Sequence, residues 1–78
     1  LSRTNFYKKL STELLGCFYF YIHKNIDKGI NVNTLLHEKA FIEKEAEKRG
    51  ISLIELRIIG YWITQKEKNL TKNEKDQN

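Results

Sequence analysis

The 78-residue chain has no proline, no methionine, one cysteine and four glycines. Each scarcity excludes something. Without proline nothing forces a helix to break, and apolar segments joined by short glycine-containing turns read as all-α. One cysteine makes no internal disulfide, and no Cys/His cluster is present to hold a structural zinc. The staples of small secreted domains are therefore missing, and a lone thiol suits a reducing, cytoplasmic setting. No apolar stretch approaches the ~20 residues that span a bilayer. The longest, Leu14 to Ile22, covers nine residues. Leu14-Leu15-Gly16-Cys17 has the outline of a lipoprotein cleavage box, but the apolar segment before it is short and interrupted by Glu13. Asn69-Leu70-Thr71 matches the glycosylation sequon, a chance match where no export signal is present.

Catalytic constellations are scarce too. Cys17 and His23 are almost two helical turns apart, too far for a nucleophile and its base. His23 and His37 fall on different helices with no carboxylate at a ligand spacing, and there is no glycine-rich phosphate loop. Neither an enzyme, a metal site nor a bound cofactor is expected.

What the chain does contain is 31% charged and 40% hydrophobic residues, with a net charge of +4. A chain this short forms one domain, whose core contributes roughly 3–5 kcal/mol net. It begins at Leu1, which reads as a domain of a longer protein, a processed product or an alternative start. Apolar spacing predicts three helices, over about Asn5 to Lys28, from the Asn31 or Asn33 cap to Arg49, and from Leu53 to about Lys68. Gly29 and Gly50 are their C-terminal stops. Ser52-Leu53-Ile54-Glu55 is a capping box opening the third. Residues 1–69 form the expected compact three-helix domain, and residues 70–78 a polar, flexible tail.

At about 100° per residue, the first helix presents Tyr7, Leu10, Leu14, Cys17, Phe18 and Tyr21 to the core and leaves Tyr19 and Phe20 off that face. The second carries a narrow stripe of Leu35, Ile42 and Ala46, with Leu36 and Phe41 beside it and a solvated face of mixed charge. The third has two stripes. Leu53, Leu56, Ile59 and Ile63 face the core, with Gly60 beside them where a neighbouring backbone can approach. Ile54, Ile58 and Tyr61, with Trp62 at the edge, run down the other side. One small core cannot absorb both stripes, and soluble monomers rarely expose large apolar patches. Ile54, Ile58, Tyr61 and Trp62, with Tyr19 and Phe20 as a second patch, are therefore the expected interface of a homodimer or of a complex with another protein.

The alternative is nucleic-acid binding. Residues 45–59 have the turn glycine and apolar spacing of a helix-turn-helix, and Arg3, Lys8, Lys9, Arg57, Lys66 and Lys68 could contact phosphates. Against this, the outward face of the third helix offers isoleucine and tyrosine where base edges call for Arg, Lys, Asn or Gln. Helix one also has aromatics and flanking lysines, as membrane-surface helices do, but its charges make no continuous basic face.

Glu45-Ala46, Gly50-Ile51-Ser52, Glu55 and Arg57 resemble the helix pair shared by the Sin repressor and anti-repressor family of spore-forming bacteria. Asn33-Thr34-Leu35-Leu36-His37-Glu38-Lys39 is similar to the linker that precedes it. The resemblance implies a dimerisation hook in a regulator of transcription, controlled by exchange of partners. Ile54 stands where that family has an acidic residue, Gly60-Tyr61 interrupt its pattern, and residues 1–30 do not resemble the repressor's DNA-binding domain.

Overall fold

A computed structural model describes the backbone of residues 3–77 and the side chains of residues 5–66. Among the described residues the chain is all-α, with four helices instead of three: α1 (Arg3–Lys8), α2 (Thr12–Asp27), α3 (Val32–Arg49) and α4 (Leu53–Gln77). The second of these is central. It packs most extensively on α4 and also on α3, against which α1 docks from the side.

The expected first helix is split at Lys9-Leu10-Ser11. Ser11 takes an extended backbone and its hydroxyl accepts from the Leu14 amide at 3.1 Å, so a fresh helix starts there with Glu13 in its first turn. The last turn of α1 tightens, with Lys9 and Leu10 amides donating to Phe6 and Tyr7 carbonyls. Restarting a helix resets its phase. The buried stripe of α2 is therefore Leu15, Tyr19 and Ile22, one residue out of step with a wheel counted through from Tyr7. Leu14, Phe18 and Tyr21, expected in the core, are two-fifths to one-half exposed, while Tyr19, expected at an interface, is only 2% exposed.

The two later junctions use one device. In each, the amide of the residue after the glycine reaches five residues back to a carbonyl of the last turn: Ile30 to Asn25, and Ile51 to Ala46, both at 2.9 Å. Gly29 (φ 75°) and Gly50 (φ 74°) supply the left-handed residue this closure requires. Asn31 occupies the start of α3 in a left-handed conformation without a side-chain cap. Ser52 caps α4, accepting from the Glu55 amide at 3.1 Å. That helix continues to Gln77, past the end expected near Lys68.

The core comprises Tyr7, Leu15, Tyr19, Ile22, Ile42, Ala46 and Leu56, with Leu10, Ile26, Leu35, Phe41 and Ile51 packed around it. Thr64 is also buried in α4, where its hydroxyl donates back to the Gly60 and Tyr61 carbonyls. The charged residues of α3 are not all solvated. Glu38 and Glu45 are buried, the first accepting from the Tyr7 hydroxyl and the second from Arg49 Nε at 2.8 Å.

Arg49 ties α1 to this frame. Its guanidinium donates to the carbonyls of Tyr7, Lys8 and Leu10 at 3.1, 3.3 and 2.7 Å, and to the Thr12 hydroxyl at 3.4 Å. A helix end leaves its last carbonyls without partners, and a cation there also opposes the negative end of the dipole. One side chain from α3 thus performs the C-capping of α1.

Candidate protein-interaction surface

The outer face of α4 is set by two glycines. Gly16 of α2 and Gly60 of α4 meet at the helix crossing. A Cβ built on Gly60 would lie 2.1 Å from the Gly16 carbonyl oxygen, and one on Gly16 would lie 3.0 Å from both Gly60 N and Leu56 O. The backbones touch here, which seats Leu56, Gly60 and Thr64 inward every four residues. Ile54, Ile58 and Trp62 then point away from α2, while Tyr61 flanks the crossing, its ring edge to face with Phe20. Ile54 is 73% exposed, Trp62 66%, and the other two about half.

This face is continuous with aromatics of α2. Ring centroids step from Trp62 to Tyr61 (5.8 Å), Tyr61 to Phe20 (6.0 Å) and Phe20 to Tyr21 (5.8 Å), all edge to face. Lys24 Nζ lies 5.7 Å from the Phe20 centroid, and Trp62, Ile63, Gln65 and Lys66 line a shallow groove at the far end. Five of the six expected interface residues are thus brought onto one surface. Tyr19 leaves the set because the phase of α2 turns it inward, and half-buried Phe20 bridges the two helices in its place.

Between α2 and α3 is a polar cluster that spacing alone does not reveal. The Tyr19 hydroxyl donates to Glu43 Oε2 at 2.6 Å, and the Tyr19 and His23 rings meet edge to face at 4.6 Å. Burial, then the Glu43 carboxylate, push the Tyr19 phenol well above its usual range. His23 Nε2 is buried without a hydrogen-bond partner. Burial and the nearby Arg57 and Lys39 hold the His23 imidazolium below its ordinary 6.5, with Asp27 and Glu43 opposing. Unfolding restores the ordinary value, so the unfolded chain takes up this proton first. The His23 contribution to stability is complete above pH 6.5 and is lost progressively as the pH falls toward the lower folded-state value. Urea midpoints should therefore drop as the pH falls below the ordinary value of 6.5. His23→Gln should flatten that slope; an unchanged slope would remove the imidazole as its cause.

The cations expected to contact nucleic acid do not assemble into one stripe. Lys8 and Lys9 are exposed at the end of α1, and Arg57 and Lys66 are exposed on α4. Nine residues separate the last two, which at 100° per residue places them on opposite sides of the helix. The side chains of Arg3 and Lys68 lie outside the described residues, as do those of residues 70–78. Among the described residues no three His, Cys, Asp or Glu side chains cluster as a metal site, and no helix is long and apolar enough to cross a membrane. Cys17 is half-buried on α2 and His37 faces solvent, its Nδ1 2.9 Å from the Asn33 carbonyl.

The class defined by these observations is an all-α domain with an unpaired apolar face. Comparisons with protein-family models, curated proteins and solved structures find no match.

Proposed function

We propose that this chain is a protein-interaction domain of a regulatory protein that self-associates as a homodimer through the outer face of α4. The observation that carries the reading is the exposure of Ile54, Ile58, Tyr61 and Trp62 on one face, joined to Phe20 and Tyr21. Fully burying a large apolar side chain is worth about 1.5–3 kcal/mol. Even partial cover of four such residues yields several kcal/mol, comparable to the net stability of a domain of this size. The described charges beside the face, Glu55, Arg57 and Lys66, are of both signs, so a two-fold arrangement can set the acid of one copy against a base of the other. The Sin-like pattern around the α3–α4 turn adds a regulatory context in which such a face exchanges partners.

Sedimentation equilibrium at micromolar concentration should show a dimer. Ile58→Asp places a carboxylate in the middle of the face and should convert the chain to a monomer that retains its helical circular dichroism. A wild-type monomer across the whole concentration range would reject self-association. Shift of a random DNA duplex at low salt, lost on adding salt, would favour the nucleic-acid reading instead.

A further inference from the structure

A second apolar surface lies on the α1–α2 side, and its charge distinguishes it from the α4 face. Leu14, Phe18 and Tyr21 follow at i, i+4 and i+7 along α2 and are each two-fifths to one-half exposed. Phe6 of α1 is similarly exposed and stacks edge to face on Phe18 at 5.8 Å, widening the stripe into a shallow apolar saddle. Exposed cations frame it. Lys9 follows Phe6 by three residues at one end, beside Lys8, while Lys24 and Lys28 follow Tyr21 by three and seven at the other. Residues 1–28 hold five of the fourteen Lys and Arg but only Glu13 and Asp27 of the ten acids, and so carry most of the net charge of +4.

We infer that this saddle docks an acidic amphipathic helix of a partner protein. The apolar stripe spans about two helical turns, the length over which a partner helix supplies its own i, i+3/i+4 and i+7 anchors. A lysine-framed stripe attracts a helix whose apolar side is edged by Asp and Glu, and this steers association as well as register. The same frame disfavours a second copy of this chain, because two-fold pairing would bring lysine ends together. Phe18 is the central anchor, and Lys9 and Lys28 are the steering charges. The surface adjoins the one proposed for self-association and shares Tyr21 with it; Phe6, Leu14 and Phe18 belong to the saddle alone, and Ile54, Ile58 and Trp62 to the α4 face alone, so the two are tested by different residues.

The test uses the full chain and two synthetic helical peptides with one leucine pattern, edged by Glu in the first and by Lys in the second. Amide shifts on titration with the Glu peptide should map to Phe6, Leu14, Phe18 and Tyr21 and their neighbours, and binding should weaken with added salt. Phe18→Ser should weaken binding by about tenfold or more. Lys9→Glu/Lys28→Glu changes only exposed side chains; it should weaken binding several-fold and reduce its salt dependence. The monomeric Ile58→Asp variant should bind as well as wild type. The inference is overturned if no shifts arise, if they map to Ile54, Ile58 and Trp62, or if the Lys peptide binds equally. Binding to phosphatidylserine vesicles with none to the Glu peptide would also overturn it, assigning the face to a membrane surface.

Discussion

Gly60→Ala should be among the most damaging single substitutions in this chain, lowering the melting temperature by about 12–24 °C. In an isolated helix the change would be favourable by up to about 1 kcal/mol, because alanine is the better helix former. Here the added methyl would meet the Gly16 carbonyl carbon at 2.6 Å and its oxygen at 2.1 Å. Neither atom is the end of a flexible side chain. Only separating α2 from α4 relieves the overlap, and that withdraws Leu56 from the core. Overpacking of this kind costs about 3 kcal/mol or somewhat more, against a net stability of roughly 3–5 kcal/mol. Gly16→Ala should be milder, since its nearest contacts are 3.0 Å or longer and one is the Ile59 side chain. Thermal melts of both variants check the order, and a Gly60→Ala protein as stable as wild type would contradict the crossing.

Arg49→Met should cost about 3 kcal/mol, measured by urea unfolding at neutral pH. The loss is larger than a surface ion pair would suggest, because a median exposed pair contributes only about 0–1 kcal/mol. The Arg49 partner Glu45 is 5% exposed and its Oε1 already has no hydrogen-bond partner, so removing the guanidinium strands a buried carboxylate. The same substitution releases the carbonyls of Tyr7, Lys8 and Leu10 at the end of α1. Arg49→Lys should recover only part of the loss, since an ammonium cannot reproduce the planar fork. The double variant Glu45→Met/Arg49→Met should be more stable than Arg49→Met alone, because it removes the stranded charge. If the single variant costs no more than an exposed pair, Arg49 is not the tie between α1 and α3.

Local chemistry is the part of this fold most readily read from the chain. Gly29, Gly50 and Ser52 act within a few residues of themselves, and their caps depend on no distant partner. The outer stripe of α4 is legible in the same way, but its inner line is Leu56, Gly60 and Thr64 instead of Leu53, Leu56, Ile59 and Ile63, with Leu53 39% exposed and Ile59 and Ile63 only half-buried. Gly60 was recognisable as a place for close backbone approach because it adjoins the stripe expected to face inward. Its partner Gly16 was not, since it lies inside an aromatic-rich run whose phase was misread.

Ser11-Thr12-Glu13 has the makings of a helix start, a hydroxyl cap with an acid in the first turn. Good apolar spacing on both sides allows a single helix to be drawn through it. Drawn that way, the core stripe of α2 falls one position early, with Leu14, Phe18 and Tyr21 in place of Leu15, Tyr19 and Ile22. Part of the exposed apolar surface is thereby assigned to the core, and Tyr19 to the surface.

Taken alone, the amino-acid sequence determined that the chain is helical, where its two later helices begin, and that α4 has more apolar surface than its own packing requires. These follow from covalent geometry and short-range periodicity. Only the tertiary structure decided the break after α1, the inward turn of Tyr19, the burial of Glu38 and Glu45 and the capping of α1 by Arg49. Each depends on groups 24 to 42 residues apart or on a phase set by one hydroxyl at Ser11. In a chain with one cysteine and no proline, the helices around the core are pinned by backbone contact at Gly16 and Gly60 and by one arginine spanning three helices.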